Sequence, residues 1–227
     1  MKRLITLLLT LSLAVSLLCT NAFAIKNVTT FEPEDVLGEE YIQKNTTSSW
    51  AADEIDAALA AGLVPTLTGN PGYRDAITRE QFAELVVQAV TVICGAPEMA
   101  PADTFTDTNN PAILQAYQAG IVDGVGDNKF NPKQITNREQ IATMITRAVA
   151  YIKAETGTDL APVAGDLSKY TDKAQVSGWA VDGVGLLASN GIMKGTSDTT
   201  LSPKASCTVE QSILFVFRMY QAYQKAA

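Results

Sequence analysis

Two arginines carry the first chemical signal in this sequence. Arg79 stands in Thr78-Arg-Glu-Gln81 and Arg138 in Asn137-Arg-Glu-Gln140. Each run opens with a residue suited to cap a helix and has Gln three positions on, the signature of a capping box. A helix start gathers unpaired N–H groups and the positive end of the helix dipole, and a guanidinium beside it adds charge-assisted hydrogen bonds. The pattern predicts an anion site. The bland alternative is that each arginine pairs with a carboxylate and fixes a neighbouring loop. A third run, Thr208-Val-Glu-Gln211, puts Val209 at the arginine position, where no anion can be held.

Other side chains could join such a site. Trp50 and Trp179 each precede an alanine at the start of a helical segment. An indole face stacks on the apolar side of a sugar ring, but the reading we favour is that each ring anchors its helix in the core. Asp107 and Asp172 follow an aromatic residue by two positions. They read first as helix caps or turn formers, and second as ligand contacts. Gly124 and Gly195 lie on Gly-punctuated loops with Gly120, Gly126 and Gly191, and are expected to form turns or to let a ligand approach the backbone. Lys129 and Lys194 share those loops and could supplement the arginines. The run DGVGDNKF invites a calcium-loop reading and fails it: its acids do not alternate, and no bidentate Glu stands at the right distance. The chain has no His, which removes the usual general base and most zinc sites. No catalysis, metal or cofactor is expected.

The elements that must position these residues are legible as periodicities. Behind the three runs lie three stripes: Phe82, Leu85, Val86, Ala89, Val90, Ile93; then Ile141, Met144, Ile145, Ala148, Val149, Ile152; then Ser212, Phe215, Val216, Met219, Tyr220, Tyr223. All three keep the same offsets, those of one helix face. Upstream of each is a shorter helical segment that stops at Gly62, Gly120 or Gly191, the left-handed residue that ends many helices. Ile55, Ile113 and Val184, with Leu59, Tyr117 and Ala188, are its expected inner residues. One helix–loop–helix unit cannot bury its apolar face alone, so three copies should pack on each other. The expectation is all-α: three helix–loop–helix repeats in a pseudo-threefold bundle, over residues 47–95, 105–152 and 169–223.

The ordered set of motifs resembles the S-layer homology (SLH) domain family. FTD stands at 105–107 and YTD at 170–172, WA at 50–51 and 179–180, GIVDG at 120–124 and GIMKG at 191–195. FNP stands at 130–132, LSP at 201–203, ITREQ at 77–81 and NREQ at 137–140. The resemblance covers roughly residues 45–223, and three tandem copies is the number typical of the family. It implies binding of a secondary cell wall polysaccharide, often carrying pyruvyl ketals, in grooves between neighbouring repeats through the motif arginine. Val209 then predicts at least one weak or dead groove. Such triplets usually tether a passenger domain, whereas here the chain stops within four residues of the third stripe. That ending, Val209, the altered loop after Gly62 and the missing Trp of the second repeat suit a rival reading, an adaptor for another cell-surface protein.

Residues 1–24 read as a secretory signal peptide, with Lys2 and Arg3, an apolar run from Leu4 to Leu18, and Ala22-Phe-Ala24 as the cleavage site. Residues 25–46 read as a polar leader. Lys2 and Arg3 are the only charges of the signal segment, so its removal makes the net charge of −7 more negative still. That argues against nucleic acid and against a polybasic membrane site. The expected location is secreted, at the wall of a bacterium. Cys94 and Cys207 are expected to stay unpaired, because they fall at opposite ends of parallel long helices. Ala96–Thr104 reads as a Pro-containing linker, and a second linker, Lys153–Ser168, is expected at the surface.

Overall fold

A computed structural model describes residues 45–227. The signal segment and nearly all of the leader therefore lie outside the described residues. The rest forms six α-helices: α1 (Ala52–Ala60), α2 (Arg79–Cys94), α3 (Pro111–Gln118), α4 (Arg138–Thr156), α5 (Val181–Ser189) and α6 (Val209–Ala226), with a single 3₁₀ turn at Lys173–Gln175. No β-strand occurs among the described residues, only isolated bridges. The fold is all-α. No described helix is long and apolar enough to cross a membrane.

The long helices start as the sequence predicts. Thr78, Asn137 and Thr208 each accept a hydrogen bond from the N–H three residues on, and Gln81, Gln140 and Gln211 close the box. Their stripes pack together: α2, α4 and α6 contact one another pairwise. Around them sits a second buried set, including Ala83, Val87, Ala142, Ile213, Leu214 and Phe217. These residues exist because each long helix also receives a short one.

The short helices do not pack on the long helix of their own repeat. Instead α3 packs on α2 and α5 on α4, while α1 closes the circle on α6. Each has a buried i, i+3 pair, Ile55 with Ala58, Ile113 with Ala116, and Val184 with Leu187, joined by Leu114 on α3 and Gly185 on α5. That corrects one expectation. Leu59 and Tyr117 are exposed, because they lie off the i, i+3 line that each short helix turns to its one long neighbour. The segments end at Gly62, Gly120 and Gly191 with φ near +70°, as expected.

A ring of backbone hydrogen bonds marks the pseudo-threefold axis. Ile77 N donates to Cys207 O, Cys207 N to Thr136 O, and Thr136 N to Ile77 O, at 2.9, 3.2 and 3.1 Å. The next amides continue the exchange. Arg79 N and Glu80 N donate to Gln134 O and Pro132 O, Arg138 N and Glu139 N to Ala205 O and Pro203 O, and Val209 N and Glu210 N to Asp75 O and Tyr73 O. The first amides of each long helix are thus satisfied by another repeat. No repeat completes its own hydrogen bonds.

Cys94 and Cys207 are both free thiols, the first half-buried and the second buried within this ring. Burial pushes the Cys207 thiol up to about 11. The second linker departs from expectation. Its first residues extend α4 as far as Thr156, and Leu160 and Ala161 are buried. Gly165 lies so close to the α5 backbone at Gly185 that a methyl group would not fit between them.

Candidate ligand-binding grooves

The side chains of the Arg-Glu-Gln run act across repeats. Arg79 donates from Nε to Phe130 O and from Nη2 to Asp123 O, both at 3.0 Å, and its guanidinium lies 4.6 Å from the Phe130 ring centre. Arg138 does the same one repeat later. Nε donates to Leu201 O at 2.8 Å and Nη2 to Lys194 O at 2.6 Å, and the guanidinium lies 5.3 Å from the Phe215 ring centre. The arginines therefore do fix loops, but through carbonyl oxygens and not through the carboxylates expected.

That difference matters electrostatically. Neither guanidinium is in an ion pair among the described residues. Burial works against both charges, Asp123 and Asp107 supporting Arg79 only from a distance. No buried side-chain polar atom lacks a partner among the described residues, and Nη1 of each arginine makes none of these bonds. Arg79 is half-buried and Arg138 buried, and Nη1 is the edge of each guanidinium that these loop bonds leave over. The helix amides are a different matter. They are spent on the neighbouring repeat, so the expectation that they would help to hold an anion is corrected.

The glutamates of the motif were not singled out from the sequence. Glu139 is buried and accepts from Ser177 N and Ser177 Oγ, both at 3.0 Å, and from Lys204 Nζ. Glu210, also buried, accepts from Ser48 N and Oγ at 2.9 Å. Glu80 accepts from the side chain of Asn110, the cap of α3. Each glutamate pins the entry to the next short helix around the ring. Its presence in all three runs, including the one that lacks Arg, was the available signal.

Trp50 and Trp179 are 60% and 61% exposed, which overturns their reading as core anchors. The alanines after them, Ala51 and Ala180, take the buried positions. Trp179, Arg79, the loop Val122–Val125 and the α4 face of Gln140, Thr143, Met144 and Arg147 line a groove of about 210 Å³. Trp50, Arg138, the loop at Lys194–Thr196 and the α6 face of Gln211, Leu214, Phe215 and Arg218 line another of about 460 Å³. The two are built alike, each from three repeats. Arg147 and Arg218, both nine residues past the motif arginine position, were missed because single residues on a polar helix face give no sequence signal of their own.

The equivalent third position lacks every such group. Val209 is buried, and Gln88 stands where Arg147 and Arg218 do. Counting back twelve residues from the closing glycines gives Trp50 and Trp179 but Thr108 in the second repeat.

The remaining candidates support the loops. Asp107 accepts from Phe130 N and Asn131 N at 2.9 and 2.8 Å, and Asp172 from Leu201 N and Ser202 N at 2.9 and 2.7 Å. They cap no helix through their side chains, and neither they nor Lys129 line a groove. Gly124 and Gly195 do not have positive φ. They are glycines because a Cβ would press on the loop itself, on Lys129 O and Phe105 in one case and on the carbonyls of Ser197 and Thr200 in the other.

Burial alone would raise the carboxyls of Asp107, Asp172 and Glu139, but their hydrogen bonds outweigh it and hold all three below their ordinary values. A carboxyl depressed in the folded state contributes stability above its unfolded pKa and loses it as pH falls through the folded one. Melting temperature should therefore hold above about pH 5 and fall on acidification through the ordinary carboxylate range near 4. Thermal unfolding followed by circular dichroism from pH 7 to pH 3 checks this.

Residues 103–142 and 169–208 match the S-layer homology domain family. Over 93% of its length the chain is 28% identical to an endoglucanase of Bacillus sp. (strain KSM-635), covering 21% of that protein. Over 50% of its length it is 30% identical to a cell surface protein of Thermoanaerobacter kivui, covering 15% of it. A surface-layer 125 kDa protein of Lysinibacillus sphaericus is 26% identical over 56% of the chain, which covers 10% of that protein. The chain thus spans about a fifth or less of these relatives. The motif runs and the two matched spans agree: residues 103–142 and 169–208 are each similar to the S-layer homology domain family.

Proposed function

We propose that this chain is a non-enzymatic, secreted cell-surface protein that holds to a bacterial cell wall by binding an anionic wall polysaccharide. On this reading three repeats, 47–95, 105–152 and 169–223, form two working grooves. The observation that carries it is the repeated constellation: an unpaired guanidinium edge, a second arginine and an exposed indole around one cleft, twice. The guanidinium would take a sugar-borne carboxylate such as a pyruvyl ketal, and the indole the ring face. Two relatives are described as a cell surface and a surface-layer protein, which suits the reading. The endoglucanase's activity is not carried over, because the match covers a minor part of that protein.

The test is co-sedimentation with purified sacculi, before and after acid removal of the non-peptidoglycan polymer. Arginine variants would confuse folding with binding, because both arginines hold loops. Trp50→Ala with Trp179→Ala removes only exposed rings. Wild type should sediment with intact sacculi and not with stripped ones. The double variant should keep its melting temperature and bind about tenfold more weakly, the factor worth ~1.4 kcal/mol. Wild type that ignores intact sacculi would sink the reading and favour the adaptor for another surface protein.

A further inference from the structure

The two grooves are alike in plan and unlike in charge. Asp123 and Lys194 occupy the same structural position. Each lies three residues after a helix-closing glycine, and each offers its backbone oxygen to Nη2 of the motif arginine. Their side chains have opposite sign. In the Trp179 groove the Asp123 carboxylate takes Arg147 Nη1 at 2.5 Å, so the second arginine is neutralised by a residue of the groove wall. In the Trp50 groove that wall residue is Lys194, and the second arginine, Arg218, is held from the flank by Glu54 at 2.8 Å. Glu54 also stands 3.7 Å from Lys194. One groove thus sets two cations against one acid, and the other three against one.

The grooves also differ in size. The Trp50 groove is the larger, and beside it, sharing Lys194 and Arg218, a further hollow of about 530 Å³ opens, walled by Leu160, Pro162, Ala222 and Lys225 together with the acids Glu54 and Asp159.

We propose that the Trp50 groove is the high-affinity site for an anionic saccharide and that the Trp179 groove is a weak one, with Lys194 and Asp123 as the residues that set the difference. The proposal rests on the wall-polysaccharide reading. Both side chains are well suited to exchange, being 63% and 68% exposed, while their structural role belongs to their backbone oxygens.

The chain has two tryptophans, one in each groove, so each site reports on itself. The probe is a hexopyranoside 4,6-pyruvyl ketal, with the unketalised sugar as the neutral control. Titration is followed by the indole N–H cross-peaks in a ¹⁵N–¹H correlation spectrum. The Trp50 peak should saturate at about a tenfold lower concentration than the Trp179 peak, the scale of one added charge-assisted contact. Asp123→Lys should tighten the Trp179 curve by a similar factor and leave Trp50 unmoved. Lys194→Asp should weaken Trp50 alone. Equal curves in the wild type, or charge swaps without effect on their own groove, would overturn the proposal and leave the wall reading standing. If the ketal moves neither peak, both fall.

Discussion

Arg138→Ala is expected to cost about 3 kcal/mol of folding stability, because hydrogen bonds to a charged donor are worth ~1.5–3 kcal/mol and two are lost. The acceptors, Leu201 O and Lys194 O, lie on the loop that builds the Trp50 groove. Leu201 is fully buried, so its carbonyl finds no water in exchange. The contact with the Phe215 ring goes as well. For a chain of this size the loss corresponds to a fall of roughly 10 °C in melting temperature. Arg138→Lys should recover little, because one ammonium cannot reproduce a planar fork that spans two carbonyls. Arg79→Ala should cost less, its side chain being more exposed and its bonds longer. Thermal melts of the three variants decide it. Equal, small losses would show that the loops hold themselves, and the arginines would then be free for a ligand alone.

Glu139→Ala should cost a comparable amount, about 3 kcal/mol, the lower end for breaking a buried charged pair. The carboxylate is 2% exposed and receives Ser177 N, Ser177 Oγ and Lys204 Nζ. Its loss unties the entry to α5, which packs on α4 itself. Lys204 is half exposed and can turn to water, so the penalty falls mainly on Ser177. Glu139→Gln keeps an acceptor for Ser177 N and should lose only about 1 kcal/mol, the value of an ordinary hydrogen bond. The two variants also separate charge from shape. Both should flatten the acid limb of the stability profile, because the depressed carboxyl is gone. An unchanged limb would place the acid sensitivity in Asp107 and Asp172 instead.

These two residues show how far a sequence can be read. Arg138 is marked in the sequence by its place at a helix start, which suits both an anion site and a role in fixing a loop. What could not be read was its partner, 56 to 63 positions away, because which loop lies over a helix start is settled by the order of packing around the axis. Glu139 drew no notice for the same reason. A glutamate in the first helical turn has a sufficient local explanation in the helix dipole, and nothing local says that a serine from the next repeat will meet it.

The tryptophans were misread in a more instructive way. Large aromatic rings favour burial on average, and Trp50 and Trp179 sit at helix starts beside core residues. The small Ala51 and Ala180 fill the tight contact, and the rings beside them are left on the groove rim. Size argued for the core, and the room available argued against it.

Local chemistry determined the capping boxes at Thr78, Asn137 and Thr208, the glycine stops at 62, 120 and 191, and the three apolar stripes. All depend on residues within a few turns of each other, so the sequence alone specifies six helices and the face the long ones turn to one another. Tertiary structure decided the rest: the pairing of each short helix with the preceding long one, the closure of α1 on α6, and the grooves assembled from three repeats at once. Those depend on contacts between residues far apart in the chain. A repeat that leaves its own helix amides unsatisfied can find their partners only in its neighbours.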